Sequence, residues 1–240
     1  MQPAQVITAD FCGKNNADLL KSTNRILTGG SWKKQRVVMI IPAAAMIPAK
    51  VYLSHRSLIF PPNQGMLPML AQGMEVGHAY SAAIEQVLSH PELSQWEFIL
   101  TVEHDNCPPP DGVLKLIEDM EAHPEFACIG GLYWTKGEGT GVPQLWGDPA
   151  DPVLNFRPQV PRPGEIQEVC GTGMGFNLWR LSMFKDERIK RPWFETKASS
   201  AGVGTQDLAF WAEARKYGYR CAIDNRILVG HYDHANDMMW

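Results

Sequence analysis

The sequence lacks the marks of a secreted or membrane-spanning chain. No apolar run approaches the about 18 residues that a membrane helix needs, and the first residues show neither the basic nor the apolar segment of a secretion signal. The five cysteines are widely spaced, without a C-x-x-C pair. They therefore indicate neither a disulfide framework nor a zinc knuckle. We expect a cytoplasmic protein with reduced thiols and no membrane span.

The sequence also has no excess of positive charge. Lysine and arginine number 22 against 26 acidic residues, so the formal net charge is -4. Without a basic surplus, bulk binding to a nucleic-acid backbone is not expected, although a local patch stays possible. A chain of 240 residues can form one generous domain. We predict that residues 36–240 form this domain and that residues 1–35 are an appended N-terminal arm.

A short apolar run stops abruptly at three polar residues in WEFILTVEHDNCPPP, residues 96–110. The run is too short for a core helix, and the prolines forbid continuation of a strand. Glu103, His104 and Asp105 are therefore expected at the carboxyl end of a buried strand, the edge where open α/β sheets bind ligands. Two carboxylates flanking an imidazole can hold a hard divalent cation. A solvated acidic turn is the competing interpretation, and the spacing alone does not separate the two.

Strand and helix patterns alternate along the first half of the chain. Val37–Ile41 is a buried-strand pattern that Pro42 is expected to stop, and the loop from Ala43 then lies at the ligand edge. Helical spacing follows over residues 50–60, 77–90 and 113–120, with Asp111 expected to cap the last of these helices. Residues 66–74 are predicted as a short strand or a loop, and strand patterns follow the second and third helices at residues 98–102 and 126–132. The alternation predicts an α/β fold with a mixed, mostly parallel sheet flanked by helices.

Residues 133–168 are rich in proline and glycine and have little periodicity. A long irregular segment of this kind inside a compact domain is typical of a lid over a site. Trp134 and Trp146 are candidates for stacking on a ligand, although such residues more often anchor a loop by burial. The run KGEGTG (136–141) precedes no amphipathic helix, so it does not indicate a dinucleotide site.

Three further segments carry polar or glycine residues at predicted element ends. The run VCGTGMGFNLWRLSMF (169–184) has glycines, including Gly173, that allow close approach of a ligand or simply a strand bulge. Gln206 and Asp207 open a helix that ends at Gly218, and an aspartate there is by default stabilised by the helix dipole. The strand at residues 221–229 delivers GHYDH at its end. Together with His104, the residues His231 and His234 provide three imidazoles. Three potential ligands favour a metal site over the default interpretation of each histidine as a surface residue.

Four pieces of the chain, taken in order, resemble the GT-A glycosyltransferases, in particular the compact family 2 type of phage and bacteria. The pieces are RVVMIIP, EHD followed by NCPPPDGVLKLI, GTGMGFNLWR, and TQDLAFWAEARKYGYRCAIDNRILVGH. The resemblance runs from about Val37 to His234. It implies a GT-A (Rossmann-like) fold and transfer of a sugar from a UDP- or GDP-sugar to an acceptor hydroxyl.

The resemblance also implies roles for particular residues. EHD stands at the family's DxD motif, so Asp105 and the His231 of VGH are implied metal ligands, with Mn²⁺ favoured over Mg²⁺ by the mixed oxygen and nitrogen ligation. The donor nucleotide is expected beside Pro42, Ala43, Glu103, His104 and Asp105. TQD resembles the family's TED, which implies that Asp207 lies beside the acceptor hydroxyl as the catalytic residue. Trp134, Gly173 and Gln206 are expected near the acceptor or the donor sugar.

Three departures from the family's pattern leave other hypotheses open. Glu103 replaces an aspartate, Gln206 replaces the glutamate of TED, and Ala79-Tyr80 stands where relatives often have Arg-Asn. The lost charge at Gln206 favours, as an alternative, a noncatalytic module that binds sugar nucleotides or glycans. A zinc-dependent hydrolase using His104, His231 and His234 is a third hypothesis, although no H-E-x-x-H spacing supports it. Neither the acceptor nor the stereochemical outcome follows from the sequence.

Overall fold

The polypeptide, seen in a computed structural model, is described over residues 35–43, 46–62, 65–137, 141–199 and 202–240. The N-terminal arm expected at residues 1–35 therefore lies almost wholly outside the described residues, and the division at residue 36 stays a prediction. The α-helices of the described part are α1 (Ala49–Ser57), α2 (Val76–Ser89), α3 (Gly112–Ala122) and α4 (Gln206–Ala214). None of the helices in these ranges is long and apolar enough to cross a membrane.

The strands are numbered in chain order. They are β1 (Val37–Ala43), β2 (Met66–Gln72), β3 (Phe98–Val102), β4 (Asn106–Cys107), β5 (Cys128–Leu132), β6 (Trp134–Thr135), β7 (Val142–Pro143), β8 (Leu145–Trp146), β9 (Ile166–Val169), β10 (Gly171–Thr172), β11 (Phe176–Arg180), β12 (Lys197–Ser199), β13 (Gly202–Gly204), β14 (Cys221–Leu228), β15 (Gly230–Asp233) and β16 (Met238–Met239).

A seven-stranded sheet in the order β2-β1-β3-β11-β5-β14-β9 forms the centre of the fold. β1 pairs parallel with both β2 and β3, and β14 pairs parallel with β5. β11 and β9 pair antiparallel with their neighbours. Five strands thus point one way and two the other, so the expected mixed, mostly parallel α/β sheet in a single domain is confirmed.

The sheet buries both of its faces, as the apolar β1 pattern requires. Val38 and Ile40 point into one core with α2 and α4, whereas Val37, Met39 and Ile41 point into the other core with α3. The alternation follows from the two-residue period of a strand. The first core is dominated by an aromatic cluster, in which Trp179, Trp211, Phe184, Phe194 and Phe210 are all fully buried.

Pro42 does not stop β1, contrary to the expectation from the sequence. The strand continues to Ala43, and Pro42 pairs in register with Ala71 of β2. On the other side, pairing with β3 ends at Ile40 opposite Thr101. The proline therefore lies where β1 has a neighbour on one side only, a position at which its missing N–H is tolerated.

Two further expectations need correction. Asp111 occupies the N-cap position of α3 without a side-chain cap hydrogen bond, and instead its carboxylate lies 3.1 Å from the ammonium of Lys115 one turn later. The segment 133–168 is less irregular than expected, because β6 pairs with β7 and Ile166–Val169 becomes the edge strand β9. Short pairings that the periodicity of so few residues cannot reveal hold this segment together.

Candidate functional site

The carboxyl ends of three adjacent parallel strands meet at one edge of the sheet. A cleft of about 270 Å³ opens there, and we call it the small cleft. Its lining comes from the ends of β1, β2 and β3 and from the start of α2: Pro42, Ala43, Gly73, Met74, Val76, Glu103, His104 and Asp105. All five residues that the sequence assigned to the donor nucleotide therefore lie in one cleft. Parallel pairing explains this, since it brings equivalent strand ends to the same edge.

A larger cleft of about 570 Å³ lies on the other side of the Glu103–Asp105 turn. His104 and Asp105 line both clefts, and the C-terminal segment closes the larger one with His231, Asp233 and His234. β4 and β15 bring these segments together, because His231 pairs antiparallel with Asn106. The N–H of Tyr232 also donates to the carbonyl of Asp105 at 2.7 Å.

Asp105 and His231, the two implied metal ligands, are in contact. Oδ2 of Asp105 lies 3.4 Å from Nε2 of His231, and the ring of Tyr133 stacks on the imidazole at a centroid distance of 6.3 Å. Burial opposes ionisation of Asp105, yet its pKa is below the usual range because His231 favours the carboxylate. Oδ1 of Asp105 and Nδ1 of His231 are buried without a hydrogen-bond partner among the described residues. The pair thus offers acceptor atoms that the fold itself does not use.

Glu103 occupies a more enclosed place than Asp105. Its backbone N–H donates to the carbonyl of Gly175 at 3.1 Å, and its carboxylate lies 3.4 Å from the hydroxyl of Tyr80 on α2. Burial raises the pKa of Glu103, and the negative charges of Asp105 and Asp207 raise it further. The negative charges of three carboxyl groups therefore act on one another here, and the three cannot all ionise at low cost.

Asp207 lies in the first turn of α4, as the sequence predicts. Its Oδ1 accepts the N–H of Leu208 at 2.8 Å, and only 8% of the residue is exposed. Burial raises the pKa of Asp207, so its carboxylate is a better proton acceptor than an exposed aspartate. Its charge acts on both Glu103 and Tyr133. The helix start is thus close to the end of β3, although more than 100 residues separate them in the sequence.

Gln206, Gly173 and Trp134, the residues expected near the sugar or the acceptor, lie in different surroundings. Gln206 is half-buried, and its side-chain oxygen lies 3.5 Å from the hydroxyl of Thr196. A Cβ atom on Gly173 would lie 2.3 Å from the hydroxyl of Tyr133, so the glycine is needed for this close approach. Trp134 is half-buried against the first core and is not among the residues lining the two clefts. Its ligand-stacking role stays a prediction beside its role as an anchor.

Sequence reasoning assigned no role at the site to three residues that lie around it. Tyr80 and Tyr133 are both buried. The hydroxyl of Tyr80 donates to the carboxylate of Glu103, and the hydroxyl of Tyr133 accepts the N–H of Gly175. Lys136 lines the larger cleft. The two tyrosines fall on ordinary apolar positions of a helix and a strand end, so their pattern is that of core residues. Lys136 belongs to the KGEGTG run, which indicates a loop and no more.

Asp105 and His231 would provide only part of the ligand set that a divalent cation needs. In the described ranges no group of three or more histidine, cysteine or acidic side chains is arranged to hold a metal. His104, His231 and His234 line the same cleft without converging, which disfavours the zinc-hydrolase hypothesis. Cations that bind together with phosphate groups need only one or two carboxylates from the protein. The unpartnered Oδ1 and Nδ1 atoms are compatible with such a shared site.

Similarity to known proteins is confined to three-dimensional structure. No protein-family model matches the sequence, and no curated protein sequence matches it. The crystal structure of A197 from STIV matches with a TM-score of 0.57 at 14% identity, covering 85% of this chain and 93% of that chain. At this identity the match shows the fold alone, which is consistent with a GT-A-like class.

Two structures of TarS from S. aureus also match. The TM-scores are 0.48 for TarS and 0.45 for TarS 1-349, each at 14% identity. The first match covers 81% of this chain and 36% of the TarS chain. The second covers 79% of this chain and 58% of the TarS 1-349 chain. Scores this low carry no argument about function.

Proposed function

We propose that the protein is a metal-dependent glycosyltransferase that moves a sugar from a UDP- or GDP-sugar to an acceptor hydroxyl. The observation that carries the proposal is the small cleft, in which the ends of three parallel strands bring Pro42, Ala43, Glu103, His104 and Asp105 together. A nucleotide bound in this cleft would lie beside the Asp105–His231 pair, and a cation held by that pair would meet its diphosphate. A cleft of this kind is the default ligand site of an open α/β sheet.

In this proposal the apolar side of the small cleft holds the nucleoside, and Asp105 and His231 hold a divalent cation, with Mn²⁺ favoured over Mg²⁺. The cation would stabilise the negative charge that develops on the departing diphosphate. Glu103 lies behind this position and accepts a hydrogen bond from Tyr80. Its carboxyl group therefore orients polar groups of the donor near the base of the cleft.

Asp207 is proposed as the group that accepts the proton of the attacking hydroxyl in an inverting transfer. The raised pKa that its burial causes supports this role, because a stronger base takes up the proton more readily. Loss of such a base typically costs about 10²- to 10⁴-fold in rate. In a retaining transfer the same carboxylate would orient the sugar. Gln206 beside it leaves Asp207 as the only acidic residue of this helix turn.

The test is release of nucleoside diphosphate from a panel of UDP- and GDP-sugars with Mn²⁺, Mg²⁺ or a chelator. We expect one donor to be cleaved only with metal, Asp105→Asn to lose both metal-dependent binding and turnover, and Asp207→Asn to keep binding but lose turnover. Unchanged donor affinity in Asp105→Asn would contradict the proposal.

The alternative function, a noncatalytic module that binds sugar nucleotides or glycans, gives a different outcome in the same assays. Donor binding with metal, without turnover on any acceptor and without an effect of Asp207→Asn, would favour the module. Glu118→Gln on α3 is the matched control, because this acidic residue is not among those lining the clefts. It should leave both binding and turnover unchanged.

A further inference from the structure

We propose that Lys136 binds the diphosphate of the donor nucleotide and so ties the 133–168 segment to the occupied site. The inference rests on the proposed function and names a residue that the resemblance does not supply. Lys136 directly follows β6 and lines the larger cleft together with Asp105 and His231. Its ammonium group therefore belongs to the same cleft as the two implied metal ligands.

The charges that line the larger cleft favour a role for the ammonium group of Lys136 in binding a diphosphate. Asp105 and Asp233 contribute two carboxylates to its lining, and its other titratable groups are three imidazoles, the phenol of Tyr232 and Lys136. Among the described residues that line it, Lys136 is the single lysine or arginine. A nucleoside diphosphate carries several negative charges and would be repelled by the two aspartates alone. One divalent cation and one ammonium group together offset that repulsion.

Lys136 is held loosely enough to change partner. Its Nζ lies 3.9 Å from Oδ2 of Asp233, which is too long for a hydrogen bond, and 66% of its side chain is exposed. Asp233 is already satisfied locally, since Oδ1 accepts the N–H of Ala235 at 3.0 Å and Oδ2 accepts the amide of Asn236 at 2.6 Å. An exposed ion pair of this kind contributes little. The ammonium group can therefore turn from Asp233 to a phosphate oxygen at small cost.

The position of Lys136 in the chain gives this exchange a structural consequence. Trp134 and Thr135 of β6 pair with Pro143 and Val142 of β7, so the lysine follows a strand of a small hairpin within the 133–168 segment. Asp233, its present partner, belongs to β15 with His231. A bound diphosphate would thus bridge the hairpin and the metal-ligand strand. The hairpin is thereby coupled to the presence of the second phosphate.

The experiment compares binding of UDP with UMP, and GDP with GMP, by calorimetry in excess Mn²⁺. We expect Lys136→Met to weaken diphosphate binding about tenfold or more, the usual size for loss of a hydrogen bond to a charged group. Binding of the monophosphates should stay unchanged, and Lys136→Arg should restore most of the diphosphate affinity. Lys190→Met, which removes an exposed lysine that is not among those lining this cleft, is the matched control.

The outcomes separate this inference from the proposed function. Diphosphate binding that is equally tight in Lys136→Met and in the native chain overturns the role of Lys136 and leaves the proposed function standing. Equal losses for mono- and diphosphates also overturn it, because they indicate a general change in the cleft. If the native chain binds no nucleotide with metal, the proposed function itself fails. Thermal unfolding of each variant shows that a loss of binding is not a loss of fold.

Discussion

Replacement of His55 by glutamine should make the protein less sensitive to acid. His55 lies in α1 with 9% of its surface exposed, and its Nε2 is 2.9 Å from the carbonyl oxygen of Asn106, directly behind the Glu103–Asp105 turn. Burial lowers the pKa of His55 from 6.5 to about 4, although the carbonyl of Asn106 opposes the shift. The folded protein therefore keeps a neutral imidazole at pH values where the unfolded chain binds a proton.

The size of the effect follows from linkage. Between pH 6.5 and 4 the unfolded state binds more protons at this residue than the folded state, so stability falls as the pH is lowered. A shift from 6.5 to about 4 corresponds to about 3 kcal/mol once the pH lies below both values. By pH 5 about 2 kcal/mol of this has been lost. Glutamine can donate the same hydrogen bond without titrating, so His55→Gln removes this part of the pH dependence.

The measurement is urea unfolding at pH 7.5 and pH 5.0, with a chelator present and tryptophan fluorescence as the signal. The free energy of unfolding of the native chain should drop more between the two pH values than that of His55→Gln, by about 2 kcal/mol. His78→Gln, at an exposed position of α2, is the control and should follow the native chain. If the native chain and His55→Gln lose equal stability on acidification, His55 does not stay neutral in the fold and the argument is refuted.

Three further substitutions test contacts inside the fold. Gly173→Ala should destabilise the protein by about 1 to 3 kcal/mol and weaken donor binding, because the added methyl group would lie 2.3 Å from the Tyr133 hydroxyl. The denaturant midpoint measures the loss of stability, and calorimetry measures the loss of donor binding. Trp179→Ala should cost about 3 to 5 kcal/mol, since the ring is fully buried and stacks on Trp211 at 5.3 Å, and a loss below about 1 kcal/mol would contradict this packing. Arg226→Met should cost about 2 kcal/mol near neutral pH, because Arg226 is half-exposed but contacts the carboxylates of Asp119 at 2.7 Å and Asp224 at 2.8 Å. Arg226 keeps the pKa of Asp224 low against the effect of burial, so the deficit should shrink as the pH falls towards 4, and a deficit that grows there would be the wrong sign.

Much of the fold follows from local patterns in the sequence. The apolar run at Phe98–Val102 becomes β3 as predicted. After α4 a 3-10 turn (Arg215–Tyr217) leads to Gly218, which has the left-handed conformation that favours glycine. Apolar periodicity is reliable here because it reports burial directly. Pro42 misled the prediction, since tolerance of a proline depends on which neighbours a strand has, and its own sequence does not contain that information.

The candidate site divides in the same way. Residues at strand and helix ends, such as Glu103, Asp105 and Asp207, can be recognised from the sequence because polar groups there interrupt an apolar pattern. Tyr80 and Tyr133 cannot, since a buried tyrosine has the same local pattern whether or not its hydroxyl group meets a carboxylate. Lys136 cannot be found either, because a lysine in a glycine-rich loop looks like any solvated residue.

The sequence by itself determined the longer helices and the central strands such as β1 and β3, the two buried faces of the sheet and the polar strand ends, because each depends on side chains within a few residues of one another. Only the tertiary structure decided which ends share a cleft, that His231 lies against Asp105, and that the charge of Asp207 acts on Glu103. These contacts join residues more than 100 positions apart in the sequence. Strand order and the pairing of β4 with β15 set them, and both arise from packing of the whole sheet.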